Sequence, residues 1–137
     1  MSSRHFLSVL IAAVFGLSVA AFPLFGHHSF AAEFDGKKPV KITGVVKKVE
    51  WTNPHIWFYV EGKDEVTGRS GVWGFSAGAP GLLQRRGILR DSLKPGDMVK
   101  VDGFLAKDGS LNASGGKVTF TDGRQVFTAG TEDDVPK

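Results

Sequence analysis

From residue 40 to residue 128 apolar side chains recur at every second position in short runs, and turn-forming residues cut the runs apart. A two-residue period lines one face of a strand and no face of a helix, so a helical bundle is excluded. Residues 40–50 are rich in β-branched side chains. Their alternation changes face around Gly44-Val45-Val46, which predicts a bulge or a sharp bend in a long strand. Residues 51–55 predict a turn in which Asn53 makes an Asx-type bond to the backbone and Pro54 fixes φ. Over residues 56–61 the alternation is clean, with Ile56, Phe58 and Val60 on one face and Trp57 and Tyr59 on the other. A charged loop over 63–69 leads to a third strand over 71–76.

The period changes only once. Pro80-Gly81-Leu82-Leu83-Gln84-Arg85-Arg86 suits a short helix that Gly87 can close. After a turn at 93–97, a fourth strand over 98–106 places Val99, Val101 and Leu105 on one face. A hairpin turn at 107–110 precedes a fifth strand over 111–120, broken at Gly115-Gly116. A second turn at 121–124 precedes a short last strand over 125–128. Three strands, a helix and two or three further strands predict an all-β fold: a small OB-like barrel of five to six strands with one short helix between strands three and four. An open β-sandwich is the alternative this order allows.

Residues 6–25 carry no charge, Arg4 precedes them, and the next acidic or basic side chain is Glu33. A basic start followed by an apolar run reads as a secretory signal peptide over 1–26, with the domain at 27–128 and a flexible polar tail at 129–137. Two cleavage points stay open. Leu24-Phe25-Gly26 would leave His27 as the first mature residue. Ser18-Val19-Ala20 fits the small-x-small rule better and would leave six residues ahead of His27. The expected location is periplasmic or secreted. The sequence contains no cysteine, so an exported domain of this size must fold on core packing without disulfides. The formal charge of +3 is spread along the chain and marks no basic face. It gives no support for a nucleic-acid partner, nor for a membrane partner after signal cleavage.

Three of the four histidines fall in two aromatic-flanked motifs, His27-His28-Ser29-Phe30 and Trp51-Thr52-Asn53-Pro54-His55-Ile56-Trp57. A mature chain beginning at His27 would place an α-amine and an imidazole on one residue, and His28 or His55 could add a second imidazole. Nitrogen donors in a flat array suit Cu(II), which tops the divalent affinity series. Zinc could use the same imidazoles. Asn53 or Glu33 could orient a ring from behind, and Trp51 and Trp57 could wall the site. The competing reading is plain: His55 hydrogen-bonds the backbone of its own turn, and His27-His28 is a leader. Trp57 and Tyr59 likewise form either an exposed platform, which Trp73 could join, or a second small core. Arg85, Arg86 and Arg90 cluster on and after the helix, either as a solvated face or as an anchor for an acidic partner.

The stretches His27-His28-Ser29-Phe30-Ala31-Ala32-Glu33-Phe34-Asp35, Val49-Glu50-Trp51-Thr52-Asn53-Pro54-His55, Gly81-Leu82-Leu83-Gln84-Arg85-Arg86-Gly87 and Asp91-Ser92-Leu93-Lys94-Pro95-Gly96-Asp97 resemble a family of small exported bacterial proteins known only as a domain of unknown function. The resemblance spans about residues 27–128. It implies export and supplies no activity. Members place a small-x-small cleavage site just before the paired histidines, where this sequence has Leu24-Phe25-Gly26.

No Ser-His-acid elbow and no phosphate-cradling glycine loop is present. The expectation is therefore a non-enzymatic binding module. Its leading ligand is copper, held by His27, His28 and His55. The alternative is a metal-free module docking a small molecule or a periplasmic protein partner through Trp51, Asn53, Trp57, Trp73, Arg85 and Arg86. A small copper oxidoreductase is the third class.

Overall fold

A computed structural model of the protein describes residues 30–127. The segment expected to be a signal peptide, His27, His28 and the expected tail at 129–137 lie outside the described residues. The first described element is one turn of helix, α1 (Phe30–Glu33). Phe30 explains the turn. Its ring packs 5.6 Å from Phe34 and 5.8 Å, edge-on, from Phe104, so the lead-in is fastened to the sheet by aromatic contact. The Lys107 amide donates to the Glu33 carbonyl at 2.9 Å, and the Lys107 ammonium donates to the Ala31 carbonyl.

Strand β1 (Phe34–Glu50) is 17 residues long and serves two neighbours. It pairs antiparallel with β2 (Trp57–Asp64) along Ile42–Glu50 and with β4 (Met98–Ala106) along Phe34–Val45. The bend expected near Gly44 is present. Gly44 faces Gly62 of β2, and a Cβ added at Gly44 would lie 2.1 Å from the Glu61 carbonyl oxygen. Only glycine lets the backbones approach so closely at this corner. The bulge comes slightly later, as a register slip between Val46 and Lys48. It resets the alternation: Val40, Ile42 and Val46 point inward at even positions, and after the extra residue Val49 and Trp51 pack on the same core at odd ones.

Strand β3 (Ser70–Ser76) pairs antiparallel with β2, and α2 (Pro80–Arg85) follows it. Pro80 opens α2, and Leu83 is buried at the barrel end. The expected stop at Gly87 takes a definite form. Gly87 has φ +82°, its N–H returns to the Gln84 carbonyl, and the Ile88 N–H returns to the Leu83 carbonyl, both at 3.0 Å. This is the paired bonding of a Schellman terminus.

The expected fifth strand divides at Gly115-Gly116 into β5 (Asn112–Ser114) and β6 (Lys117–Phe120). β5 runs parallel to β3 and meets β4 at Leu105–Ala113. β6 pairs with β4, and β7 (Gln125–Phe127) closes a hairpin on the other edge of β6. The ring β1-β2-β3-β5-β4 shuts through the β1–β4 pairing, giving a small all-β barrel with seven strands among the described residues. A meander of three strands, a helix, a fourth strand returning to the first and a fifth parallel to the third is the OB-type order. Inside it lie Ile42, Val60, Trp73, Val101 and Val118, and the rings of Phe58 and Phe75 stack 5.0 Å apart.

Sequence reasoning also placed residue 64 in a charged loop. Asp64 instead ends β2 with its side chain fully buried. Its carboxylate accepts from the Lys41, Val66 and Thr67 amides and from the Thr67 hydroxyl. Burial pushes this carboxyl up, but the four donors outweigh burial and hold its pKa below the ordinary aspartate value.

Candidate functional site

The loop joining β1 to β2 is pinned at Ile56, just before β2. The Ile56 N–H donates to Gly78 at 3.1 Å and the Ala77 N–H donates to Ile56 at 2.7 Å, which ties the loop to the chain leaving β3. The bond expected from Asn53 comes instead from Thr52, whose hydroxyl donates to the His55 carbonyl at 3.1 Å. Asn53 is exposed and its peptide bond to Pro54 is cis. His55 is half-buried, and its Nδ1 lies 3.3 Å from the Ser76 hydroxyl. The imidazole is therefore tied to β3 by its side chain.

Ser76 is the register partner of Trp57, so His55 and Trp57 meet at the same end of the β2–β3 ladder. The alternation that buries Phe58 and Val60 turns Trp57 and Tyr59 outward. Over this outer face the neighbours are small: Gly74 lies opposite Tyr59, and a Cβ there would fall 2.5 Å from the Asn112 amide oxygen and 3.3 Å from the Tyr59 ring. The Tyr59 ring and the Asn112 side chain thus meet across Gly74. The Tyr59 hydroxyl donates to the Glu50 carboxylate at 3.1 Å, and Lys48 forms an ion pair with the same carboxylate. Burial and then the hydrogen bond to Glu50 raise the Tyr59 pKa, while the Lys48 hydrogen bond leads in lowering that of Glu50.

Beside Trp57 an open groove of about 470 Å³ runs between α1 and the β4–β5 turn. Glu33, Phe34, Lys107, Asp108 and Asn112 line it with Trp57. In OB barrels the face of strands two and three, with the β1–β2 and β4–β5 connections, is where ligands bind. The groove, Trp57 and the His55 loop occupy that position. Sequence reading missed Lys107, Asp108 and Asn112 because no local pattern links them to Trp57. Only barrel closure brings the two together.

A family model described as "Family of unknown function (DUF6152)" matches residues 13–116. The chain belongs to the DUF6152 family. No curated protein and no solved structure matches it. The family assignment carries no activity, so any reading of this DUF6152 protein rests on its own residues.

The residues expected to bind a ligand fall in three places. Trp57 lies on the outer face with His55. Trp73 points into the core, fully buried, and does not join the Trp57–Tyr59 face. β3 pairs Trp73 with inward Val60, and the period of two puts it opposite Gly74 and Ser76. Trp51 lies past the bulge, at the barrel end under α2, with the Arg90 guanidinium 5.3 Å from its ring centre. Arg85 and Arg86 are exposed at the end of α2 and form no ion pair among the described residues. Among the described residues of this DUF6152 chain no three histidine, cysteine, aspartate or glutamate side chains gather where they could hold a metal. His55 is the only described imidazole, and His27 and His28 lie outside the described residues.

Proposed function

We propose that the protein is an exported, non-enzymatic binding module whose ligand is a copper ion, held on the outer β2–β3 face by His55 with His27 and His28. The observation that carries this reading is the single groove linking α1, where the described chain starts, to Trp57, two residues beyond His55. His28 precedes Phe30 by two residues. At about 3.6 Å per residue, its Cα is tethered within about 7 Å of the start of α1. The proposed site brings the two histidine motifs, separated by more than twenty residues in sequence, together at this groove.

The chemistry follows from the donors. With Nδ1 of His55 turned to Ser76, Nε2 is the nitrogen free to ligate, and a second nitrogen bound to a protein group is the usual arrangement of a metal-bound imidazole. If cleavage falls before His27, its α-amine titrates near pH 8 and yields its proton to a metal at modest cost. Imidazole and amine nitrogens are the donors Cu(II) prefers. Trp57 gives the site an apolar wall.

The test is a Cu(II) titration of the mature protein, with its N-terminus defined by intact mass. The expected result is one saturable visible band, lost in His55→Ala and in a variant extended ahead of His27. A chain starting at His27 that binds no copper rejects the reading. The groove then supports the second reading, a metal-free site for a small molecule against Trp57, since its volume of about 470 Å³ falls within the range of ligand pockets.

A further inference from the structure

We propose that the groove beside Trp57 binds a neutral oligosaccharide, with one sugar ring stacked on the Trp57 indole and its hydroxyls held by Asn112, Glu33 and Asp108. This names the ligand class of the second reading above, and it stands whether or not copper binds at His55, since none of these side chains is an imidazole.

The groove is already open, at about 470 Å³, and its two walls are fastened to each other. Lys107, in the β4–β5 turn, donates twice to α1: its amide to the Glu33 carbonyl at 2.9 Å and its ammonium to the Ala31 carbonyl. The Phe30 ring ties α1 to Phe104 of β4 as well. A ligand enters without any element moving, which keeps the ordering cost of binding low.

The unpaired groups set the chemistry. Asn112 is half-buried, and its side-chain amide makes no hydrogen bond among the described residues, so one acceptor and two donors are available. Glu33 is exposed, and its carboxylate is likewise unpaired among the described residues. Asp108 accepts from the Ser110 amide at 2.9 Å and the Ser110 hydroxyl at 2.6 Å, both through Oδ1, which leaves Oδ2. Lys107 is the single cation lining the groove, and its ammonium is committed to Ala31.

Three ligand classes fit this wall poorly. An anion, a phosphodiester included, would face Glu33 and Asp108 with no uncommitted cation beside them. A wholly apolar molecule would strip water from two carboxylates and an amide and replace none of their hydrogen bonds. A small amine would meet the carboxylates but offer no acceptor to the Asn112 NH2 group. A sugar serves every group. Its C–H face lies on the indole, and its hydroxyls donate to the carboxylates while donating to and accepting from the amide. An open groove, unlike a closed pocket, admits part of a longer chain, which makes the ligand an oligosaccharide.

The experiment is calorimetric titration of the purified, EDTA-treated protein with maltotriose, cellotriose and tri-N-acetylchitotriose, and with spermidine and trigalacturonate beside them. Saturable binding of at least one neutral trisaccharide is expected, with a Kd below about 1 mM, and the amine and the anion should bind more weakly. Trp57→Ala should weaken binding at least about tenfold. Asn112→Ala, on a different strand, should weaken it about fivefold and tests the same groove should Trp57→Ala fail to fold. His55→Ala should bind the sugar unchanged while losing Cu(II), which separates this proposal from the copper reading. No binding of any of the three sugars by the folded protein at about 10 mM overturns the proposal. So does undiminished affinity in folded Trp57→Ala, a preference for spermidine or trigalacturonate, or sugar binding that disappears in His55→Ala.

Discussion

Replacing Asp64 by alanine tests whether one buried carboxylate holds the β1–β2 end of the barrel. Four donors converge on it at 2.9 Å (Lys41 N–H), 3.2 Å (Val66 N–H), 3.1 Å (Thr67 N–H) and 2.6 Å (Thr67 hydroxyl). Val66 and Thr67 are exposed, so water can replace the carboxylate for their groups. The Lys41 amide sits within β1 and loses a partner that water replaces poorly. Hydrogen bonds to a charged group contribute about 1.5–3 kcal/mol each, and water recovers part of that for the turn, so the loss should be about 4 kcal/mol. Against a domain stability of about 5–15 kcal/mol, this is a large fraction. Asp64→Asn should cost about half as much, because its amide nitrogen must face a donor where Oδ2 accepted two.

The pH dependence adds an independent check. The folded pKa of Asp64 is lowered, so its contribution is fully present above the unfolded value near 3.9 and is lost as pH falls through the folded pKa. Wild type should therefore lose more stability than Asp64→Asn between about pH 4 and pH 2, although Glu65, Asp108 and Asp122, also lowered, share the acid limb. Urea unfolding followed by tryptophan fluorescence at pH 7 and at low pH measures both effects. A cost below about 1 kcal/mol for Asp64→Ala, or identical acid limbs for wild type and Asp64→Asn, would refute the reasoning.

Other perturbations read the remaining steps. Deleting Lys47 removes the bulge but leaves Val49 and Trp51 an even number of positions after inward Val46, so the register to β2 and the cooperative unfolding transition in circular dichroism should both persist, whereas one residue inserted after Lys48 turns Val49 and Trp51 outward and should lower the melting temperature. Gly87→Ala forces a Cβ into φ +82° at the end of α2 and should cost about 1–2 kcal/mol, seen as a lowered melting temperature. Ser76→Ala removes the partner of His55 Nδ1. Under the copper proposal it should weaken Cu(II) binding about tenfold with little change in stability, and unchanged affinity would show that Ser76 does not position the ring.

Much of the barrel was legible because strand period and turn chemistry are local. The two faces of β2, the helix stop at Gly87 and the break at Gly115-Gly116 all follow from neighbouring residues, and each is found. The bend at Gly44 was also readable, since a glycine amid β-branched residues needs a backbone reason, and Gly62 supplies it. The turn of helix at Phe30 was not readable, because its anchors, Phe104 and Lys107, lie more than seventy residues away.

For the candidate site, the sequence alone determined which chemistry is available: imidazoles in two motifs, a strand face carrying Trp57 and Tyr59, three arginines near one helix and no thiol. Tertiary structure decided which of these can act together. It sent Trp73 into the core, left Trp51 at the barrel end with exposed Arg90 over its ring, turned Trp57 outward, and set it beside the groove that α1 and the β4–β5 turn complete. The reason is physical. The inward or outward direction of a side chain follows from a period of two, which a short window of sequence carries. The company it keeps depends on the β1–β4 and β3–β5 pairings that close the ring, and those pairings join residues no local pattern connects.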